Sequence, residues 1–392
     1  MQLVYVTSRF PFGPGEGFLA AEVESHLSAG WTVTIFPALP TGGLRHHDAT
    51  AIVERTVAPS WSAAAAVTAR GLSRDRALRR RTLGVLRRPQ SAATRAKNAL
   101  VLSRAGALAG LLREREADHV HAHWGSTSST LAMTAAETVG IPWSITLHRW
   151  DIYENNLLAD KVRSAAFTRV ISERAAVDVR RLVPSAEPHV VHMGVEVPEG
   201  EPPRPRSGAC RFVCVAALVR VKNHEGLLRA FARAVEGTEA TLELVGEGPL
   251  EPTLRDLARS LGVDTRVTFT GFVDHDALLS RLRRGDWDAA VLASTAGETE
   301  HEGIPVSLME AMAAGLPAVA TDSGATSELV VEGAGVLVAA GDEPALAAAL
   351  RRVGGDPDLR ARLAAGARAH VRAAFDVARV GEELRALICA TR

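Results

Sequence analysis

Net charge is absent from this sequence: 45 Lys and Arg are balanced by 45 Asp and Glu over 392 residues. A nucleic-acid binder usually advertises a basic excess, so that class is disfavoured. Cysteine is scarce, with only Cys210, Cys214 and Cys389, too few for a disulfide framework and suited to a reducing cytosol. Cys210 and Cys214 lie in or beside an apolar strand pattern, and no second ligand pair follows, so no zinc site is expected there. No run of about 18 apolar residues occurs, which leaves only peripheral contact with a bilayer. Met1–Thr7 has no basic leader or cleavage signal and reads as a buried strand, so the expected location is the cytoplasm. No internal repeat of fixed period is found. The loop after the first strand is not a GxGxxG fingerprint, which disfavours a nicotinamide site.

What is present is an alternation of short β-branched runs with longer Ala/Leu/Arg-rich stretches of helical period, the pattern of parallel βαβ units. Strands are predicted at Leu3–Thr7, Trp31–Phe36, Asp118–His123, Trp143–Leu147, Thr168–Ser172 and His189–Met193. A second set is predicted at Arg211–Ala216, Thr241–Gly246, Arg266–Thr270, Trp287–Leu292, Ala318–Thr321 and Val336–Val338. Each set suffices for a doubly wound α/β sheet. Pro and Gly crowd between them, and residues 198–209 read as a linker. The expected domains are therefore 1–197 and 210–375, with 376–392 as a terminal helix returning to the first.

Residues 61–115 are strongly basic: Arg70, Arg74, Arg76, Arg79, Arg80, Arg81, Arg87, Arg88, Arg95, Lys97, Arg104, Arg113 and Arg115 face only Asp75, Glu114 and Glu116. Leu72, Leu78, Leu83, Val85 and Leu86 are interleaved. Three readings stay open: a solvated helical insertion, amphipathic helices resting on an anionic surface, and a positively charged lid that binds an acceptor.

The stretch from Ser294 to Pro317 carries the most chemistry. An apolar strand is followed by a polar loop, Pro305 at a favoured first helical position, a helix burying Leu308, Met309, Ala311 and Met312, and a stop at Gly315 and Pro317. In such a unit the helix N-terminus points to the carboxyl end of the sheet. Open N–H groups at Val306, Ser307 and Leu308 would there form an anion site that needs no metal. Glu302 precedes this terminus and Glu310 lies inside the helix. Carboxylates accept hydrogen bonds from vicinal hydroxyls, so one could hold a ribose and the other a transferred sugar.

The setting Glu302-Gly-Ile-Pro-Val-Ser-Leu-Met-Glu310-Ala-Met-Ala-Ala-Gly-Leu-Pro317, followed by Thr321-Asp-Ser-Gly324 and Glu328-Leu-Val330, resembles the E-x7-E signature of family GT4. These are retaining GT-B glycosyltransferases, with two Rossmann-like doubly wound domains facing a cleft. The resemblance covers nearly the whole chain and is strongest over residues 210–332. It implies that Glu302 contacts the donor hexose, that Glu310 contacts the ribose, and that backbone N–H groups from Gly303, Ile304, Pro305, Val306 and Ser307 surround sugar and phosphate (Pro305 itself has no N–H). Glu243-Leu-Val-Gly246-Glu-Gly-Pro249 resembles the family's GxGP element, placing Gly246 at the donor. Val267-Thr-Phe-Thr-Gly-Phe-Val273 resembles the strand whose end, at Val273, packs on the base. Lys222 falls on the family's phosphate-neutralising Lys. The companion Arg is missing, since Ala216-Ala217 stands where Gly-Arg is usual; Arg220 is the candidate replacement.

In the first half, the loop holding Gly13, Gly15 and Gly17 resembles the family's N-terminal Gly-rich loop, with Gly15 and Gly17 as donor contacts. His148 matches the family's T-x-H position beside the donor sugar. Asp151 and His123 are assigned to the acceptor. A zinc reading of His121, His123 and His148 is set aside on the view that an i, i+2 pair does not converge on one site. The implied chemistry is retaining transfer from a nucleotide sugar, a UDP-sugar first, to a hydroxyl acceptor of a polysaccharide, glycolipid or natural product. His148, Glu302, Arg220 and Lys222 carry it, with no cofactor and no metal, and domain closure excludes water. The alternatives are an epimerase or phosphorylase on the same fold, or a non-catalytic sugar-nucleotide binder.

Overall fold

The computed structural model describes residues 1–13, 16–42, 50–202, 208–297 and 301–392. It holds two compact units: Met1–His192 with Val380–Arg392, and Met193–Arg379.

The first unit contains β1 (Gln2–Thr7), β2 (Thr32–Pro37), β3 (His119–His123), β4 (Trp143–Leu147), β5 (Phe167–Val170) and β6 (His189–Val190). All pair in parallel, in the order β2-β1-β3-β4-β5-β6. Alternation along β1 sends Leu3 and Tyr5 to one face and Val4 and Val6 to the other, and both faces are buried. The Leu3 face is covered by the helices Leu19–Ser28 and Val377–Cys389, the latter through Leu384 and Ile388. Arg385 donates to Ser25 O at 3.0 Å, and Arg392 pairs with Asp118 at 2.7 Å, which holds the chain end on this unit.

The basic segment forms four helices, Trp61–Arg74, Arg76–Arg87, Ala92–Leu102 and Ala105–Glu114. Side chains of Ser60, Asp75 and Ser91 cap the first three. Leu78, Val85, Val101 and Leu108 enter the Val4-side core, beside the helix Thr127–Val139.

The second unit contains β7 (Arg211–Val215), β8 (Thr241–Val245), β9 (Val267–Gly271), β10 (Ala289–Leu292), β11 (Ala318–Asp322) and β12 (Gly335–Ala339), in the order β12-β11-β10-β7-β8-β9. Strand order reverses between β7 and β10 here, and between β1 and β3 in the first unit. At such a switch point the loops leaving the carboxyl strand ends diverge and open a crevice for ligand. The Lys222 loop and the Glu302 loop flank one switch; the Gly-rich loop and Trp124 flank the other.

All twelve predicted strands form, within about two residues at most ends and with His189–Val190 shorter than expected. The linker expectation needs correction. The chain divides after His192, and the described part of 198–209 packs within the second unit. Arg368 donates to Pro198 O and to Gly200 O, and Pro202 lies against Gly315.

Candidate active site

In the second unit the site is organised around Glu302, which is buried. Its Oε1 accepts from Lys222 Nζ at 2.6 Å and from Ser294 Oγ at 2.6 Å. Its backbone N–H donates to Ser323 Oγ at 3.0 Å, and Ser323 Oγ in turn donates to Thr295 O. Thr321 Oγ1 donates to Ser294 O at 2.7 Å. Gly324 has φ +61° and its α-carbon faces the Glu302 carbonyl so closely that a Cβ would collide with it. The Thr-Asp-Ser-Gly run is therefore the brace behind the Glu302 loop, which gives the sequence motif a physical reason.

The helix Val306–Ala313 follows, with Leu308, Met309, Ala311 and Met312 buried as expected and Gly315 at φ +88° beyond its end. Two details differ from expectation. Pro305 is the N-cap rather than the first helical residue, with ψ 110°. Leu308 N–H already donates to Pro305 O at 3.1 Å, which leaves Val306 and Ser307 N–H without a partner among the described residues. These two are the open donors at the helix's positive end. Ser307 Oγ donates to Val215 O at 2.8 Å, pinning that end to the tip of β7. Ile304 is buried and Gly303 half-buried, so their contribution to a ligand is limited to backbone.

Glu310 lies on the second turn of this helix and binds His275 Nε2 at 2.7 Å. That hydrogen bond raises the His275 pKa above its ordinary value. Gly246 (φ +142°) faces Ala216 O too closely for any side chain, and Gly248 does the same against Leu218 O, so the β8 loop lies on the β7 loop. Val273 is half-buried beside exposed Phe272. Arg220 and Lys222 share the short 3₁₀ turn Arg220–Lys222; Arg220 is exposed and has no side-chain partner among the described residues.

In the first unit the Gly-rich loop is held by an unanticipated residue, Glu16. It accepts from Arg9 and Phe10 N–H at 2.6 Å each, and from Trp124 Nε1 at 2.5 Å. Gly17 is half-buried beside it, and Gly15 lies outside the described residues. Trp124, at φ +83°, stacks on His148 with ring centroids 4.1 Å apart. His148 Nε2 meets His123 Nε2 at 2.7 Å.

Three expectations are corrected here. His119, His121 and His123 share one face of β3, as residues two apart on a strand must. His121 is bonded to Ser144 Oγ (2.7 Å) and Thr146 Oγ1 (2.9 Å). His123 is fully buried and lies behind His148, with Tyr5 OH at 3.2 Å from its Nδ1, so it cannot touch an acceptor. Asp151 is also buried: its Oδ2 accepts from His148 N–H at 3.0 Å, so it positions His148 rather than contacting acceptor. Burial pushes Asp151 up to about 7 and pushes Lys161, which donates to Gly125 O and Ser126 O, down to about 7.

Glu22, His121 and His123 bring potential metal-ligand atoms within 4.8 Å of one another. Each is already engaged, Glu22 by Arg169 Nη1 at 2.7 Å and by Tyr5 OH. The guanidinium in contact with the carboxylate makes this an ion-paired structural network. Sequence reasoning had no signal for Tyr5, Glu22 or Arg169, because their partners are set only by the fold.

Residues 202–370 match the family described as glycosyl transferases group 1. A GDP-mannose-dependent monoacylated alpha-(1-6)-phosphatidylinositol monomannoside mannosyltransferase from Corynebacterium glutamicum is 32% identical over 174 residues, 44% of this chain and 45% of that protein. A glycogen synthase from Mycobacterium tuberculosis is 37% identical over 177 residues, 44% of this chain and 41% of that protein. The match thus spans less than half the length of these relatives. A structure of Anabaena Alr3699/HepE in complex with UDP and glucose superposes with a TM-score of 0.70 at 17% identity, covering 100% of both chains. The fold is the GT-B fold of such glycosyltransferase structures, and residues 202–370 resemble the glycosyl transferases group 1 family.

Proposed function

We propose that this chain is a retaining glycosyltransferase that moves a sugar from a nucleoside diphosphate sugar, UDP-linked in the first instance, to a hydroxyl acceptor in polysaccharide, glycolipid or natural-product synthesis. One observation carries the reading: Lys222 and Glu302 are paired at the β7/β10 switch, in the unit whose helix Val306–Ala313 keeps two N–H groups open. A diphosphate there receives the helix N-terminus and the Lys222 ammonium, with Arg220 as a second cation. Glu302, released from Lys222, accepts from hydroxyls of the sugar, and Glu310 accepts from the ribose. The anomeric C–O bond to phosphate breaks, the acceptor oxygen bonds on the same face, and its proton passes to the departing phosphate. The cations and amides stabilise the charge that develops there, so no metal is invoked.

Incubation with UDP-, GDP- and ADP-sugars decides the matter: acceptor-dependent release of nucleoside diphosphate supports transfer. Sugar inversion, or binding without turnover, would reject it.

The same reading gives a pH dependence. His275 has its pKa raised by Glu310, so their attraction is complete below the ordinary histidine value and fades as pH rises through the raised one. Protonated His275 competes with the ribose for Glu310. Nucleotide Kd is expected to be about two- to five-fold weaker at pH 6 than at pH 8. In His275→Gln that difference should vanish in a calorimetric titration.

No helix of the described residues is long and apolar enough to cross a membrane. Peripheral contact at the cytoplasmic membrane face is part of the proposal. Arg76, Arg79, Arg80, Leu83 and Arg87 lie along the exposed side of one helix, and none of these arginines pairs with a carboxylate among the described residues. Sedimentation with phosphatidylglycerol vesicles but not phosphatidylcholine vesicles, lost in the double variant Arg76→Glu/Arg80→Glu, is the expected outcome.

A further inference from the structure

We infer that a buried chain running from Glu22 through Tyr5 and His123 fixes the tautomer and orientation of His148, making these three positioning residues and denying His148 the role of a proton donor. The inference rests on the proposed function only in giving His148 a ligand to face.

The direction of each hydrogen bond follows from the donor inventory. Glu22 is fully buried among cationic and donor groups. Arg169 Nη1 occupies its Oε2 at 2.7 Å, while the other guanidinium nitrogens are committed to Val191 O and His192 O. An ionised carboxylate only accepts, so the Tyr5 hydroxyl hydrogen is committed to Glu22 Oε1. The Tyr5 oxygen then has only lone pairs left for His123 Nδ1, 3.2 Å away, and that nitrogen must carry a hydrogen.

His123 and His148 are both kept neutral by burial, His148 with a pKa down to about 3. A neutral His123 with hydrogen on Nδ1 has a bare Nε2. The 2.7 Å contact with His148 Nε2 is a hydrogen bond only if His148 supplies the hydrogen. His148 is therefore the Nε2–H tautomer, its one N–H directed into the protein and Nδ1 left as an acceptor.

His148 also opens the helix Arg149–Glu154, where its backbone N–H donates to Asp151 Oδ2 at 3.0 Å and its carbonyl accepts from Asp151 N–H at 3.1 Å, so the residue is anchored at its backbone as well as at its ring. Trp124 stacked at 4.1 Å fixes the ring plane. His148 can offer a ligand its ring and a lone pair, and not an acidic N–H.

Long-range ¹H–¹⁵N NMR of the histidine-labelled full chain reads this directly. In the unsubstituted protein the His148 Nε2 should resonate as protonated and Nδ1 as bare, for a single tautomer. In Tyr5→Phe, which removes the acceptor for His123 Nδ1–H while keeping the ring, the His148 pattern should move toward a tautomer average. The turnover number should fall about ten-fold with the nucleotide Kd unchanged. A His148 that carries its hydrogen on Nδ1 in the unsubstituted protein overturns the inference, even if Tyr5→Phe does not fold. So does a Tyr5→Phe protein whose His148 pattern is unmoved. Failure to transfer sugar at all would reject the proposed function and leave the tautomer measurement standing.

Discussion

Replacing Glu302 with Ala should lower kcat/KM by about 10²- to 10³-fold, the loss typical when one preorganised group at a transition state is removed. Two effects add. The sugar loses the carboxylate that accepts from its hydroxyls. Lys222, held at 2.6 Å from Glu302, loses the partner that keeps it at the switch point. Glu302→Gln retains an acceptor oxygen and the Ser294 contact but no charge, so its activity should lie between the two. Stability should change little, because Lys222 is partly exposed and water can solvate it. Initial rates of nucleotide release, with and without acceptor, together with a melting curve, separate a lost site from a lost fold. A variant that transfers at the original rate would show that Glu302 is only a brace.

Replacing Glu22 with Ala should destabilise the protein by about 3–5 kcal/mol, the cost of stranding one member of a buried ion pair. Arg169 is fully buried and pairs with Glu22, which also receives the Tyr5 hydroxyl. Removal leaves a guanidinium on β5, a phenol on β1 and an imidazole on β3 around one cavity. Denaturant unfolding of the first unit's transition should report the loss. A change below about 1 kcal/mol would mean that water enters and replaces the carboxylate, and that the network is less rigid than its distances imply. Within the network, Glu22 lies well below the ordinary carboxylate range despite burial, chiefly through the Arg169 guanidinium and with the Tyr5 hydroxyl bond, so its contribution persists until strongly acid pH.

The donor half of the site was legible because its chemistry is local. Glu302, Val306, Ser307 and Glu310 lie within one strand-loop-helix unit, and Lys222 lies on the loop after the neighbouring strand. A switch point brings two such loops together from topology alone. Finer errors there were of one residue: Pro305 became the cap, and Leu308 N–H was spent on Pro305 O. Gly324 belongs to the sequence motif, but its reason, room for the Glu302 carbonyl, is a contact between loops that sequence spacing does not encode.

The first unit was less legible because its polar network joins residues 5, 22, 123, 148 and 169, which come from three strands, a helix and the position just after a fourth strand. No spacing rule connects positions so far apart. His121 and His123 were placed wrongly by neglecting strand alternation. Once their shared face is recognised, Ser144 and Thr146 on β4 explain how a buried strand tolerates such polar rings. Glu16 and Glu22 sit in the glycine-rich stretch that drew notice, yet it was the carboxylates, fixing loop and histidines, that proved structurally decisive.

Crystals of the full chain soaked with UDP give the decisive view of the donor site. The β-phosphate should lie against the amides of Val306 and Ser307, with Lys222 turned from Glu302 toward it and the ribose on Glu310. Nucleotide density away from that helix, with the Lys222–Glu302 pair undisturbed, would contradict the assignment.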